Sequence, residues 1–515
     1  MEISTLIPAT TPWLSILVVL PLLGALVVAI PGLRPQARPI ALGVSIIELI
    51  LAVFAAATAF DWSESGTYQM VESYSWIPPM GVSWALGVNA LGLVMVLLAV
   101  ALVPIVIGAA WADSDEDPRG YLALILLLET FMVLIFAAFD VVLFYFAFEA
   151  MLIPLYLMIG RYGVGDIEAR RRAAMKFLLF SLAGGLAMLG GMVALWAAIP
   201  EHSATFFRLD TLSSLSGNLP AGLQMGVFVS FMIAFAIKAP MVPVHTWLPD
   251  TAAVARPGTS VLLVGVLDKI GTFGMIALVL RLFPVASAQA ALVLCILAVV
   301  SILWGGFAAI GQNDIMRLVS YTSVSHFGFM VLGIFVGSSI AMTGAMVYMV
   351  AHGVSIAAMF LISGFLAERG GSRDMRDYVG MQRVTPILAG LWLVSAMASI
   401  ALPGLSGFVP EYLVLMGTWS ASAGLAVFAV LGVVVAAVYV LLPYQRVFTG
   451  RPAGKNASLE DLNGREKVVV APLIAAMVIL GVWAAPLVSS LTPIADEAAT
   501  TLVAASHVAT EGSAK

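Results

Sequence analysis

AFAIKAPMVPVHTWLPD, residues Ala234–Asp250, begins as an apolar helix and then breaks its own pattern. Lys238 interrupts the run, Pro240 and Pro243 follow within five residues, and His245 comes next. Proline has no N–H and disrupts the i→i−4 ladder, so carbonyls beside Lys238 lose their partners. At membrane depth, broken backbone is tolerated only where protein covers it or it lines a hydrated cavity. Many membrane helices carry a plain proline kink, but a lysine at the kink favours a water-accessible site.

Membrane depth is the right frame for this stretch. The chain has 515 residues, of which 61% are hydrophobic and 10% charged, with a mean hydropathy of +1.05. That leaves too little polar surface to face water on every side. Apolar runs of about 20 residues, enough to cross a hydrocarbon core of roughly 30 Å, recur from Trp13 to near Leu491. The expectation is an all-α polytopic membrane protein with about 14 transmembrane helices. The first apolar run lacks a preceding basic region and reads as a retained span. Cys295 is the single cysteine, which excludes a disulfide framework and a multi-thiolate metal site from this chain alone.

The basic residues test the span count. With the N-terminus outside, about 19 of the 24 lysines and arginines fall in inside loops, including the RYGVGDIEARRRAAMK and ERGGSRDMRDYVGMQR segments. Arg208, Arg281 and Lys515 fall outside, while Lys238 and Lys269 sit within spans. An error of one span would scramble this asymmetry, so both termini are expected outside. The polar insertions 61–83, 199–223 and 450–466 are too short for a separate core, and the tail after Pro493 reads as a loose terminus.

A second interruption matches the first. ASIALPGLSGFVPEYLVL carries Pro403, Gly404, Gly407 and Pro410, then Glu411, inside one long apolar run. Two broken helices about five spans apart, each with an ionisable residue at the break, are what an inverted repeat leaves behind. The expected division is 1–120 for N-terminal helices, 121–283 and 288–445 for two inverted five-helix repeats, and 446–515 for a loop, the last span and the tail.

A charge at mid-bilayer costs about 2.5–3.5 kcal/mol on insertion scales and usually faces protein or a water cavity. Glu129, Glu149, Lys238, His245, Asp268, Lys269, His326, His352 and Glu411 are such residues. Several have bland readings. His352 and Glu129 could each be a hydrogen-bonded group at a helix contact, His245 could satisfy carbonyls freed by the prolines, and Asp140 reads as a boundary residue. Asp268 and Lys269 are neighbours that point roughly 100° apart on a helix. Glu149, Lys238 and Lys269 lie too far from helix ends to snorkel. With Glu129 and Glu411 they form a polar series across five spans that stability alone would not require.

Burial disfavours the charged form of a lysine or glutamate, and a nearby opposite charge favours it. A buried Glu–Lys pair can therefore have neutral and ionic states close in energy. Chained through histidine and water, such groups can load, pass and release protons. Moving one charge against 100 mV costs about 2.3 kcal/mol, so transport needs an outside drive. The sequence has no G-x-x-x-x-G-K-[ST] phosphate loop and no strand-linked G-x-G-x-x-G. His326 and His352 could ligate a haem in principle, but nothing else favours it.

LFYFAFEAMLIPLYLMIG, AFAIKAPMVPVHTWLPD, SVLLVGVLDKIGTFG, AIGQNDIMRLVSYTSVSHFGFM and ALPGLSGFVPEYL together resemble the antiporter-like subunits of respiratory complex I. Within that family, glutamate at 411 separates this chain from the L and N types and the related Mrp antiporters, which usually carry lysine there. The resemblance implies proton-relay roles: Glu149 and Lys238 as an interacting pair, Lys269 as the central lysine, and His326 and His352 as intermediates. Glu411 would be the exit group and His245 the family's HTWLPD histidine. It also implies the bacterial plasma membrane and, as partners, the two related chains L and N, a lateral helix and lipids, with no nucleic acid. NADH, FMN, iron–sulfur clusters and quinone would be used in other subunits, with no cofactor or metal bound by this chain. The alternative within the superfamily is a subunit of an Mrp-type sodium/proton antiporter or membrane-bound hydrogenase; a rival of another class is a scaffold whose buried charges fix helix register. The chain departs from the family at Ala252 and Val254, where histidine and glutamate are usual, and at Asp268, where leucine is common.

Overall fold

The computed structural model describes residues 6–113, 117–200, 202–217 and 219–513. Lys515, assigned above to the outside, lies outside the described residues. Eleven helices among those residues are long and apolar enough to cross a membrane, and the bent pair Gly464–Val482 and Ala485–Val508 brings the total to as many as twelve. Trp13–Ala29 and Pro386–Ser399 are shorter apolar helices, so the described helices are compatible with the expected fourteen crossings. The chain is a multi-pass membrane protein.

Burial separates two kinds of helix. Those at 257–282, 315–335 and 339–370 are 94%, 94% and 100% buried over their most apolar window, whereas 37–58 and 423–448 keep broad apolar faces exposed. An all-round apolar helix inside protein needs no polar face, and an exposed Ile or Val face is stable only against lipid or another protein. The buried helices carry Lys269, His326 and His352, so the ionisable groups are held in the interior.

Both interrupted helices are present. One helix runs Ala221–Lys238, stops at the prolines, and resumes at Trp247–Val254. The other runs Pro386–Ser399 and resumes at Phe408–Ala421. Two tight joints between successive helices, at Asp140 and at Ser338, are capped by side chains. Asp140 accepts from Val142 N and Leu143 N at the start of Val141–Ala150, and Ser338 accepts from Ala341 N at the start of Ser339–Gly370. Such caps satisfy first-turn N–H groups that have no partner within the helix.

Three features depart from the sequence reading. First, the all-α expectation omits a small sheet: Tyr68–Ile77 pairs antiparallel with Val82–Val88, and Leu6–Pro8 adds in parallel. Here φ > 0 at Gly81 permits the turn between the long strands. Second, the apolar run 85–111, whose length and composition predict one span, becomes helical only at Ala90, where Asn89 accepts from Gly92 N. Third, residues after Pro493 are not a loose tail. The last span ends at Val482, bends by 69°, and continues as a helix to Ser513. Glu497 pairs with Arg281 at 3.5 Å and Asp496 accepts from Ser339 Oγ, which fixes this helix to the spans.

Candidate functional site

The break after Lys238 is held by substituted hydrogen bonds. Met241 N bonds to Ala236 O rather than Ile237 O, and the Trp247 indole N–H takes Ile237 O at 3.0 Å. Ser301 Oγ accepts from Val242 N at 3.0 Å. The chain thus supplies side-chain partners for backbone that the prolines leave open. Lys238 is buried, and its Nζ has no hydrogen-bond partner among the described residues. It lies 5.9 Å from the Phe148 ring centre and 5.5 Å from that of Phe177, a distance at which ring faces attract cations.

Glu149 approaches from the neighbouring helix. Its carboxyl lies against Gly185, where an added Cβ would sit 1.5 Å from Oε1. At Gly184, beside it, an added Cβ would sit 3.0 Å from Ala234 Cα of the lysine-bearing helix. Two adjacent glycines therefore seat both the glutamate and the lysine-bearing helix. Glu149 and Lys238 are in electrostatic range, but the described residues include no direct ion pair between them.

Asp268 and Lys269 lie on the buried span Pro257–Leu282, which crosses close to the break. A Cβ on Gly271 would be 2.5 Å from Ala239 N, and one on Gly274 would be 2.4 Å from the Phe235 ring. These close approaches bring Asp268 into electrostatic range of both Lys238 and Lys269. Neither oxygen of Asp268 has a hydrogen-bond partner among the described residues. Two π-helical turns, Leu263–Leu267 and Met275–Val279, flank Lys269. The Val264 carbonyl, within the first, accepts from Lys269 Nζ at 2.5 Å. Such turns leave backbone carbonyls without their usual partner and recur at functional sites.

From Lys269 a contact line continues into the second half. Its Nζ is 2.8 Å from His352 Nδ1. The His352 and His326 ring centres are 5.1 Å apart. His326 Nε2 is 3.2 Å from Tyr439 Oη and 3.4 Å from Ser399 Oγ. The Tyr348 ring lies 5.8 Å from His326, and its hydroxyl donates to Glu411 Oε2 at 2.8 Å. Glu411 stands in the first turn of Phe408–Ala421, just past the second break, where the helix dipole favours negative charge. At that break Ala401 takes φ 58°, a left-handed conformation that costs a non-glycine residue roughly 1–2 kcal/mol.

The sequence candidates thus divide. Lys269, His352 and His326 lie in a contiguous contact line, and Tyr348 links its end to Glu411. Glu149 and Lys238 lie in electrostatic range of each other, and Lys238 also of Asp268. His245 stands apart: Nε2 accepts from Trp304 Nε1 at 3.3 Å, Nδ1 has no partner among the described residues, and its ring faces Tyr321. Near it, Asp250 pairs with Lys176 and Arg317, each at 2.6 Å. Burial pushes the Asp250 carboxyl up, but the hydrogen bonds from Lys176 and Arg317 outweigh it and hold the group below the ordinary aspartate value. Tyr348, Tyr439 and Ser399 were not singled out by sequence, because a tyrosine or serine in an apolar run is common. Glu48 also escaped notice, although SIIELILAV carries the same signal that marks Glu129. Among the described residues no cluster of three or more His, Cys, Asp or Glu could hold a metal ion.

Buried ionisable groups crossing two interrupted helices define a membrane protein of the ion-translocating type. The chain belongs to the NADH:quinone oxidoreductase/Mrp antiporter family, whose transmembrane region matches residues 138–436. It is 43% identical to NADH-quinone oxidoreductase subunit M of Mycobacterium tuberculosis over 95% of this chain and 94% of that one. It is similar in structure, with a TM-score of 0.85 and 30% identity, to a chain of respiratory complex I from Thermus thermophilus with bound NADH, covering 95% of this chain and 99% of that one. A chain of the Mrp complex from a Dietzia species matches with a TM-score of 0.84 at 20% identity, over 96% of this chain and 99% of that one, and shares the fold.

Proposed function

We propose that this chain is the M-type membrane subunit of an NADH–quinone oxidoreductase and carries protons along a path of ionisable residues that runs from Glu149 and Lys238 to Glu411. The observation that carries this reading is the line Lys269–His352–His326 with Tyr348 and Glu411 beyond it, in a chain 43% identical to a subunit M. Glu149 and Lys238 form the first exchanging pair, and Asp268 couples that pair to Lys269. Lys269 receives a proton and hands it to His352. His326 and Tyr348 connect onward, and Glu411 releases toward the outside. Tyr439 and Ser399 orient His326, and His245 is the outlying member of the set. The inverted repeats 121–283 and 288–445 each supply one broken helix to this path.

Because membrane transport against a potential requires work, the drive comes from electron transfer elsewhere. NADH, FMN, iron–sulfur clusters and quinone act in other subunits. The partners are the L- and N-type chains, a lateral helix and lipids of the bacterial plasma membrane, with both termini outside. Lys238→Ala or Glu149→Ala in the assembled complex is expected to assemble and lose most NADH-driven proton pumping. Full pumping by either variant would refute the relay. Sodium-dependent transport in vesicles without NADH dehydrogenase activity would favour the Mrp-type alternative.

A further inference from the structure

Away from this path, two carboxyl groups meet in the N-terminal part of the bundle. Glu48 lies midway along Ala37–Thr58, Glu129 midway along Arg119–Ala137, and both are 0% exposed. Their carboxyl groups are close enough to interact. None of the four oxygens has a hydrogen-bond partner that satisfies ordinary geometry among the described residues. Two buried acceptors without donors are costly to leave so.

Among the described residues, no lysine or arginine forms an ion pair with either glutamate. Arg38 and Arg119 each precede their glutamate by ten residues, about 15 Å along a helix. Arg38 donates to Asp113 O at 2.8 Å, and Arg119 pairs with Asp117 at 2.6 Å, so both are engaged at the helix ends. The packed helices Trp13–Ala29 and Ala90–Ala109 contain no charged residue. Glu149, on the next helix, lies against Gly185, and Lys269 is bonded to Val264 O and His352. Facing carboxylates in an apolar interior cannot both ionise without a counter-charge. A metal ion would need further ligands, and no third His, Cys, Asp or Glu joins the pair among the described residues.

We propose that Glu48 and Glu129 form a proton-binding carboxylic pair, holding at least one proton at neutral pH, at a site separate from the path that ends at Glu411. The bound proton makes one carboxyl a donor to the other and joins two parallel spans at the same depth. This inference does not depend on the relay assignment above.

The test is infrared spectroscopy of the reconstituted complex in H₂O and D₂O, with wild type compared with the double variant E48Q/E129Q. The expected result is a protonated-carboxyl C=O band, shifted by deuteration, that is present in wild type and lost in the double variant, with NADH-driven proton pumping retained. An unchanged band overturns the proposal. A lost band accompanied by lost pumping overturns the separation from the path. Should the double variant fail to assemble, the single variants E48Q and E129Q decide: the band shifts in both if the carboxyls share the proton, and a band unchanged in either refutes sharing.

Discussion

Gly185→Ala isolates the position of Glu149 from its chemistry. The added Cβ would lie 1.5 Å from Glu149 Oε1 and 2.6 Å from the carboxyl carbon. Ordinary contact between such atoms is about 3.5 Å, so the carboxyl must retreat by about 2 Å. Because the obstacle meets the far end of a flexible, partly buried side chain, the helix can keep its place. Assembly is therefore expected to survive. Misplacement by 1 Å can cost on the order of 100-fold where transfer depends on geometry, so the rate of NADH-driven proton uptake should fall by at least tenfold. The assay is dye-monitored uptake in proteoliposomes, with complex content fixed by native gel. Gly190→Ala, whose Cβ would meet nothing within 4 Å, is the silent control on the same helix. Wild-type pumping by Gly185→Ala, with assembly intact, would refute the claim that the seated carboxyl matters.

Other perturbations probe separate joints. Tyr348→Phe removes the hydroxyl that donates to Glu411 Oε2, leaving a buried acceptor at a cost of about 1–3 kcal/mol; pumping should slow while thermal stability of the complex falls slightly. Gly481→Val would place a Cβ 2.3 Å from Gly404 C and 2.4 Å from Gly404 O, and backbone cannot yield as a side chain does. The loss should be about 1–3 kcal/mol, read as a lower melting temperature or less assembled complex. Asp250 is held below its unfolded value by Lys176 and Arg317. Its contribution is therefore present above the unfolded aspartate value near 3.9 and is lost as pH falls through the lower folded value. With 38% of the side chain exposed, that contribution is about 1 kcal/mol or less. Melting temperatures of wild type and Asp250→Asn should differ at neutral pH and converge in acid.

The division between legible and hidden parts has a physical basis. Lys238, Lys269, Glu149 and Glu411 stand out in sequence because a charge in a long apolar run needs a reason, and prolines mark where the backbone opens. Contacts between distant spans leave no such mark. Lys269 reaches His352 from beside a π-helical segment, and LVGVL has no local signature for that turn. Tyr348 and Tyr439 owe their positions to packing across separate helices. The sheet over 68–88 was obscured because its strands sit in a polar insertion between spans. The C-terminal helix was obscured because Pro493 suggested an end where the structure has a continuing helix held by Arg281 and Ser339.

Lys269 joins the two halves of the path, so its replacement tests the account most directly. In proteoliposomes of the complex carrying Lys269→Gln, the account predicts normal assembly and loss of most NADH-driven proton uptake, because a neutral amide cannot load and pass the proton received from the Glu149–Lys238 side. Uptake at the wild-type rate would contradict it.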